Sequence, residues 1–371
     1  MSEYSIEKTK KYTVKLRELL NTLPRVCGDF FRGIELTTGI MTRYGYAVDL
    51  KTFFSYLMGT DLCSGLESMR DIDADVLDKV DAVMIECYLE YVSLYQPDEE
   101  NAELIMNGER AKARKLSAIR AMYKYLYKKG RVKNNAPSLV DTPKLHEKPI
   151  IRLEPDEMAR LLDAVESGEG LSKKQKQYHK LTAVRDTAII TLFLGTGMRI
   201  SELVGIDVDD INYMSNEVLI TRKGGNEEEI VFGSDVRKAL LDYQVYRDAT
   251  IPAEGHEKAF FLSMQKKRMS VRSVEVLVKK YAELAAPLKK ISPHKLRSTY
   301  GTMLYRETGD IYLVADVLGH KDVKTTRKHY AAMSQDRRRL AAEIVKLRDN
   351  KDGNTAVQND PALPSPASDE E

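Results

Sequence analysis

A stretch punctuated by glycine and proline, Gly130-Arg-Val-Lys-Asn-Asn-Ala-Pro-Ser-Leu-Val-Asp-Thr-Pro-Lys144, divides this 371-residue chain into two parts with different apolar periodicity. Gly130 can end a preceding helix, and Pro137 and Pro143 break any continuation. Ahead of it, apolar residues recur at the three-to-four spacing of amphipathic helices. Thr42–Leu57 carries Tyr46, Leu50, Phe53, Phe54 and Leu57 in that spacing, and Val76–Leu94 continues it. Arg110–Lys128 puts Leu116, Ile119, Met122, Tyr123 and Leu126 on one face. Behind the stretch the pattern is mixed. Helical spacing covers Glu154–Val165, Ala183–Leu194, Asp235–Arg247, Val271–Ala285 and the residues from Pro293 onward. Two short strand patterns, Glu217–Arg222 and Glu228–Phe232, flank the hairpin-turn signal Lys223-Gly-Gly-Asn226. The expected fold is mainly α with a small β component, in two domains that meet near residue 145.

Composition narrows the class. Hydrophobic residues make up 43% of the chain, enough for real cores. No run reaches the ~18 apolar residues of a membrane span. The charged start, Met1-Ser-Glu-Tyr-Ser-Ile-Glu-Lys, is not expected to be a secretory signal. Three widely spaced cysteines (Cys27, Cys63, Cys87) suit a reducing cytoplasm rather than a disulfide framework or a zinc site. No Asp/Glu/His cluster argues for a metal, so no cofactor is expected.

Net charge is only +2, but the basic residues are clustered. Arg110, Lys112, Arg114, Lys115 and Arg120 lie on or beside the polar face of one helical pattern without nearby acids. Between Lys266 and Arg297 ten lysines and arginines, among them Lys267, Arg268 and Arg272, face two glutamates. Both clusters fit surfaces that track phosphates. The last twenty or so residues, with Pro361, Pro364, Pro366 and an acidic end, are expected to be disordered.

Three short segments carry candidate chemistry: Leu194-Gly-Thr-Gly-Met-Arg-Ile-Ser-Glu-Leu203, Ser292-Pro-His-Lys-Leu-Arg297 and Leu318-Gly-His-Lys-Asp-Val-Lys-Thr-Thr-Arg-Lys-His-Tyr330. Each is weak alone. In this order and spacing they resemble the tyrosine recombinase (integrase) family, in particular its Xer-type members and the integrases of mobile elements. The family's set falls on Arg199, Lys223, His294, Arg297, His320 and Tyr330, with Glu202 matching an acid that orients its neighbours. The resemblance spans about residues 24–345 and departs from the minimal pattern in a basic insertion at 166–182 and a longer connection at 96–108. It departs again at Arg222-Lys-Gly-Gly-Asn226, where the family often has Gly-Lys-Gly-Asn-Lys.

The resemblance implies an N-terminal extension (1–23), a helical, SAM-like core-binding domain (24–130), a linker (131–149), a mixed α/β catalytic domain (150–347) and a tail (348–371). No arm-binding domain is expected ahead of the match. The implied reaction is DNA cleavage and rejoining through a 3′-phosphotyrosine on Tyr330. Arg199 and Arg297 would hold the nonbridging oxygens, Lys223 would protonate the leaving 5′-oxygen, His294 would take the Tyr330 proton and His320 would bond the phosphate. The implied partners are double-stranded DNA with specific recombination sites and three further copies of the chain, passing through a Holliday junction. The segment Ser334–Leu347 could dock on a neighbouring protomer or on its own domain. A type IB topoisomerase or telomere resolvase, and a noncatalytic DNA-binding regulator, are competing readings. Resolution of chromosome dimers, integration of a mobile element and inversion of a segment share these motifs.

Overall fold

The structure, a computed structural model, describes residues 3–97, 103–146, 150–222 and 225–319. The chain forms two compact units, residues 1–304 and 305–371. The first opens with helices α1 (Glu3–Leu20), α2 (Arg25–Gly33), α3 (Ile40–Met58), α4 (Ala74–Asp78) and α5 (Ala82–Tyr91). A two-residue antiparallel pair, β1 (Leu94–Tyr95) and β2 (Ile105–Met106), leads into α6 (Glu109–Lys128). Their apolar faces make one core, in which Leu50, Phe53, Phe54 and Leu57 of α3 meet Leu116, Ile119, Met122, Tyr123 and Leu126 of α6, all fully buried. These are the faces expected from sequence, with Tyr46 half-buried at the edge. Residues 1–23 are not all peripheral: Leu16 of α1 and Leu23 are buried in the same core.

Two local expectations change. The helical pattern Val76–Leu94 is two helices, because Asp81 accepts a hydrogen bond from Met84 N (2.8 Å) and starts a new N-terminus. The Gly130–Lys144 stretch is packed over part of its length. Gly130 takes the left-handed conformation (φ +64°) after α6, and Val132, Ala136 and Val140 then bury against the helical core.

A second core is built from α7 (Pro155–Ser167), α8 (Lys173–Thr196), α9 (Ile200–Leu203), the sheet β3 (Ile211–Asn212), β4 (Glu217–Thr221) and β5 (Glu227–Val231), then α10 (Ser234–Asp248), α11 (Val271–Ala285) and α12 (Pro293–Thr308). The sheet order is β3-β4-β5, antiparallel throughout, with Thr221 opposite Glu227 next to the turn. The basic segment Lys173–Lys180, which the apolar pattern leaves out, forms the first turns of α8. Ser172 accepts from Gln175 N, and the Gln175 side chain accepts from Ser172 N, a capping box that starts the helix ten residues earlier than the apolar pattern does. The α8 helix packs on α10 so closely that a Cβ at Gly195 would meet Val236 Cγ2 at 2.3 Å. In the second unit the described residues end with α13 (Ile311–Val317), capped by Asp310. Among the described residues no helix is long and apolar enough to cross a membrane.

Candidate active site

The end of α8 sets the geometry. Gly197 adopts φ +62°, its N–H returning to Phe193 O, and the chain leaves the helix in a tight turn that a side chain would strain. Two residues later Arg199 is the N-cap of α9. Glu202, three positions on, reaches back to accept from Arg199 N (2.7 Å) and from Arg199 Nη1 (2.8 Å). The local sequence Arg-Ile-Ser-Glu thus orients its own arginine. Arg199 remains 35% exposed, whereas Glu202 is buried.

A buried carboxylate needs more than one partner, and Glu202 has a second from the sheet. Arg222, the last described residue before the β4–β5 turn, donates through Nη1 to Glu202 Oε1 (3.3 Å) and Oε2 (3.4 Å). The same guanidinium grips Glu228 on β5 in a fork, Nε to Oε2 at 2.8 Å and Nη2 to Oε1 at 2.7 Å. That hydrogen bond from Arg222 is the main reason the Glu228 carboxyl is held below its usual value; the charges of Arg222, Arg199 and Arg297 add to it. Burial disfavours the Arg222 charge, but Glu228 and Glu202 outweigh it and raise its pKa.

Arg297 approaches from α12. Its side chain is buried, and Nη1 donates to Gly197 O at 2.7 Å, which ties it to the turn that presents Arg199. Pro293, at the start of α12, is buried, while His294, three positions before Arg297, is exposed. Residues 199, 202, 222, 228 and 297, spread over a hundred positions, thus form one charged knot. A cleft of about 680 Å3 opens beside it, lined by Arg199, Glu202 and Arg222 and by Tyr4 and Lys8 of α1 and Met41 of α3. Lys223, His320 and Tyr330, and the C-terminal segment 334–347, lie outside the described residues. Among the described residues no group of His, Cys, Asp or Glu is placed to hold a metal ion.

Of the nine basic residues predicted to face DNA, eight lie at least partly at the surface and only Lys115 is buried. Arg110, Lys266, Lys267 and Arg272 are exposed, Arg114 is exposed but paired with Asp49, and Lys112 is half-buried. Arg272 also pairs with Glu275 at 3.2 Å. The buried Lys115 departs from a surface reading, and Arg120 and Arg268 are engaged within the protein. Lys115 is buried, its ammonium 3.5 Å from Asp49 Oδ1 and 3.3 Å from Thr52 Oγ1, beneath the Tyr95 ring. Arg120 donates to Pro137 O (2.9 Å), Thr142 Oγ1 (2.7 Å) and Val140 O, pinning the stretch that follows α6. Arg268 donates to Val204 O (3.1 Å), Ile206 O (3.0 Å) and Asp207, with the Tyr4 ring over it. These three side chains hold the fold. Sequence reading missed Arg222 and Glu228. The available signal was the departure at Arg222-Lys-Gly-Gly-Asn226, which puts an arginine at the root of a turn whose return strand is Glu-Glu-Glu.

A helical first core, a second core with a small antiparallel sheet, and arginines gathered round a hairpin root are the features to set beside known proteins. Residues 151–337 match the phage integrase family model. The chain is 34% identical over 336 residues to the tyrosine recombinase XerC of Caldanaerobacter subterraneus subsp. tengcongensis, covering 88% of this chain and 85% of that one. It is 29% identical to the tyrosine recombinase XerS of Streptococcus equi subsp. equi, covering 84% and 93%. Two DNA-bound structures share the fold. XerH on a palindromic difH substrate, post-cleavage, gives a TM-score of 0.61 at 17% identity, covering 90% of this chain and 89% of that one. The Tn1549 transposon integrase with transposon right-end DNA gives 0.60 at 19%, covering 86% and 99%. The chain belongs to the phage integrase family and is a tyrosine recombinase. The expected family and the mainly α fold with a small β component are both met.

Proposed function

We propose that this recombinase cuts and rejoins one DNA strand at a time through Tyr330, with Arg199, Lys223, His294, Arg297 and His320 as the groups around the scissile phosphate. The observation that carries the reading is the knot itself: Glu202 joins Arg199 to the residue preceding Lys223, and Arg297 is tied to the Arg199 turn.

The Tyr330 hydroxyl attacks phosphorus and the phosphorus–O5′ bond breaks, leaving a 3′-phosphotyrosine and a free 5′-hydroxyl. The phosphodiester bond energy is kept in the enzyme–DNA link, so no ATP is required. Charge gathers on the nonbridging oxygens, where Arg199 and Arg297 each present a planar fork. Lys223 protonates the leaving oxygen, and His294 accepts the tyrosine proton and returns it on ligation. His320 bonds the phosphate, and Glu202 acts through Arg199. Attack by a 5′-hydroxyl from the other duplex reverses the step in exchanged form. Two such exchanges require four protomers on two specific sites and a Holliday junction between them. We place Ser334–Leu347 on the neighbouring protomer as the coupling element, and the activity in the cytoplasm.

The test is covalent trapping on a nicked suicide substrate. Tyr330→Phe should bind DNA and form no adduct, while Tyr300→Phe and Tyr305→Phe should still form it. An adduct that persists in Tyr330→Phe, or that maps to another tyrosine, would overturn the assignment.

A further inference from the structure

We infer that Arg222 is a positioning residue that fixes the root of the turn carrying the general acid Lys223; this rests on the reading of Lys223 given above. Arg222 immediately precedes Lys223 in the chain. Its side chain is only 8% exposed, so its charge is committed to the protein. Its side chain bonds two carboxylates with different roles. Glu228 lies on the return strand, so the fork of 2.7 and 2.8 Å closes the hairpin just below its turn. Glu202 belongs to α9 and already holds both the main chain and the side chain of Arg199. The Arg222 backbone is fixed as well. Its N–H donates to Asn226 O at 2.7 Å, and its carbonyl accepts from Gly225 N at 3.0 Å.

One guanidinium therefore links the hairpin to the loop of Arg199 through a single carboxylate. A plain glycine at this position would leave the hairpin root and the Arg199 loop without that link. The pair Arg222 and Glu228 is also self-consistent. An arginine buried here needs an acid across the strand, and the acidic strand Glu227-Glu-Glu229 supplies it. Lysine could carry the charge at 222 but not span two carboxylates with a fork.

Leaving-group protonation separates positioning of Lys223 from a general structural effect. The cleavage rate of full-length enzyme is measured on ordinary DNA and on a 5′-bridging phosphorothiolate, whose thiolate leaves without a proton. Misplacement of an acid by about 1 Å can cost ~10²-fold. Arg222→Lys and Glu228→Gln should both slow cleavage of ordinary DNA, Arg222→Lys by up to ~10²-fold, and both should recover most of the rate on the phosphorothiolate. In the Lys223→Ala background, adding Arg222→Lys should change the rate on ordinary DNA by less than about twofold, because the group it positions is gone. Thermal unfolding of each variant confirms that folded protein is compared. Rescue of Lys223→Ala without rescue of Arg222→Lys would overturn the inference and make Arg222 a support of Arg199 or of the fold. Failure to rescue Lys223→Ala itself would instead remove the acid role from Lys223, and the inference with it. Arg199→Ala, which acts on nonbridging oxygens, is the unrescued control.

Discussion

The basic helix α6 and the Arg199–hairpin region both set cations beside a carboxylate, yet they spend that charge differently. In α6 the acid is Asp49, from α3, almost fully buried and shared by Arg114 and Lys115. Burial dominates there. It raises the Asp49 pKa against the pull of Arg114 and Lys115, and it lowers the Lys115 pKa against the pull of Asp49. The Asp49 and Lys115 charges are internal to the helical core and cost desolvation, a cost only partly offset by pairing. At the hairpin the acids are Glu202 and Glu228, and the pairing wins: Glu228 is held low and Arg222 high. Arg199, one-third exposed beside the cleft, keeps an accessible face that Lys115 does not have. The same residue types thus serve as core fastener in one region and as an oriented, accessible cation in the other.

Substitutions should divide along this line. The largest expected effect is Arg199→Ala, which should lower the cleavage rate by ~10²–10³ and move the thermal midpoint little. A rate near wild type would make Arg199 another fold-holding arginine and erase the distinction. Next comes Asp49→Ala. It leaves Lys115 buried without its acid, so urea unfolding should show a loss of about 3 kcal/mol, while the cleavage rate of the folded fraction stays near wild type. An unchanged urea midpoint would show that the pair does not hold the helical core together.

Acid should separate the two regions by sign. The folded-state pKa of Glu228 is lowered, so its pairing stabilises above the usual carboxylate value of about 4.3 and is lost as pH falls through the folded value. The stability difference between wild type and Glu228→Gln should therefore shrink on acidification. The folded-state pKa of Asp49 is raised above about 3.9, so its ionised form works against the fold at neutral pH and is relieved as pH falls through the folded value. The difference between wild type and Asp49→Asn should move in favour of wild type over the same range. Equal slopes in chemical unfolding across pH would break the comparison.

The smallest effect is in salt dependence. If Arg110 meets a phosphate, Arg110→Gln should reduce the slope of log K against log salt by ~0.9. Lys115→Gln should leave that slope unchanged. A reduced slope in Lys115→Gln would return Lys115 to the DNA surface.

Much of this organisation was legible in the amino-acid order. The 3–4 spacing named the buried faces of α3 and α6, and the turn signal at Lys223-Gly-Gly-Asn226 sits between β4 and β5, where it was expected. Periodicity and turn chemistry are local, so a short window contains their causes. Arg199 and Glu202 are also local, three positions apart and joined by the start of α9. Helix starts were read less well where a cap rather than an apolar stripe decides them, as at Ser172 and Asp81.

The order of Arg199, Lys223, His294, Arg297, His320 and Tyr330 was by itself enough to name the family, because each motif is short and contiguous. Only the tertiary structure decided which cations are available. Lys115 is claimed by an acid 66 positions away, and Arg268 by Asp207 and two carbonyls more than 60 positions away. It alone joined Arg222 to Glu202 across twenty residues and Arg297 to Gly197 across a hundred. A charge run in sequence shows how many cations a segment carries. Whether they meet water, phosphate or a buried carboxylate depends on what the fold packs against them.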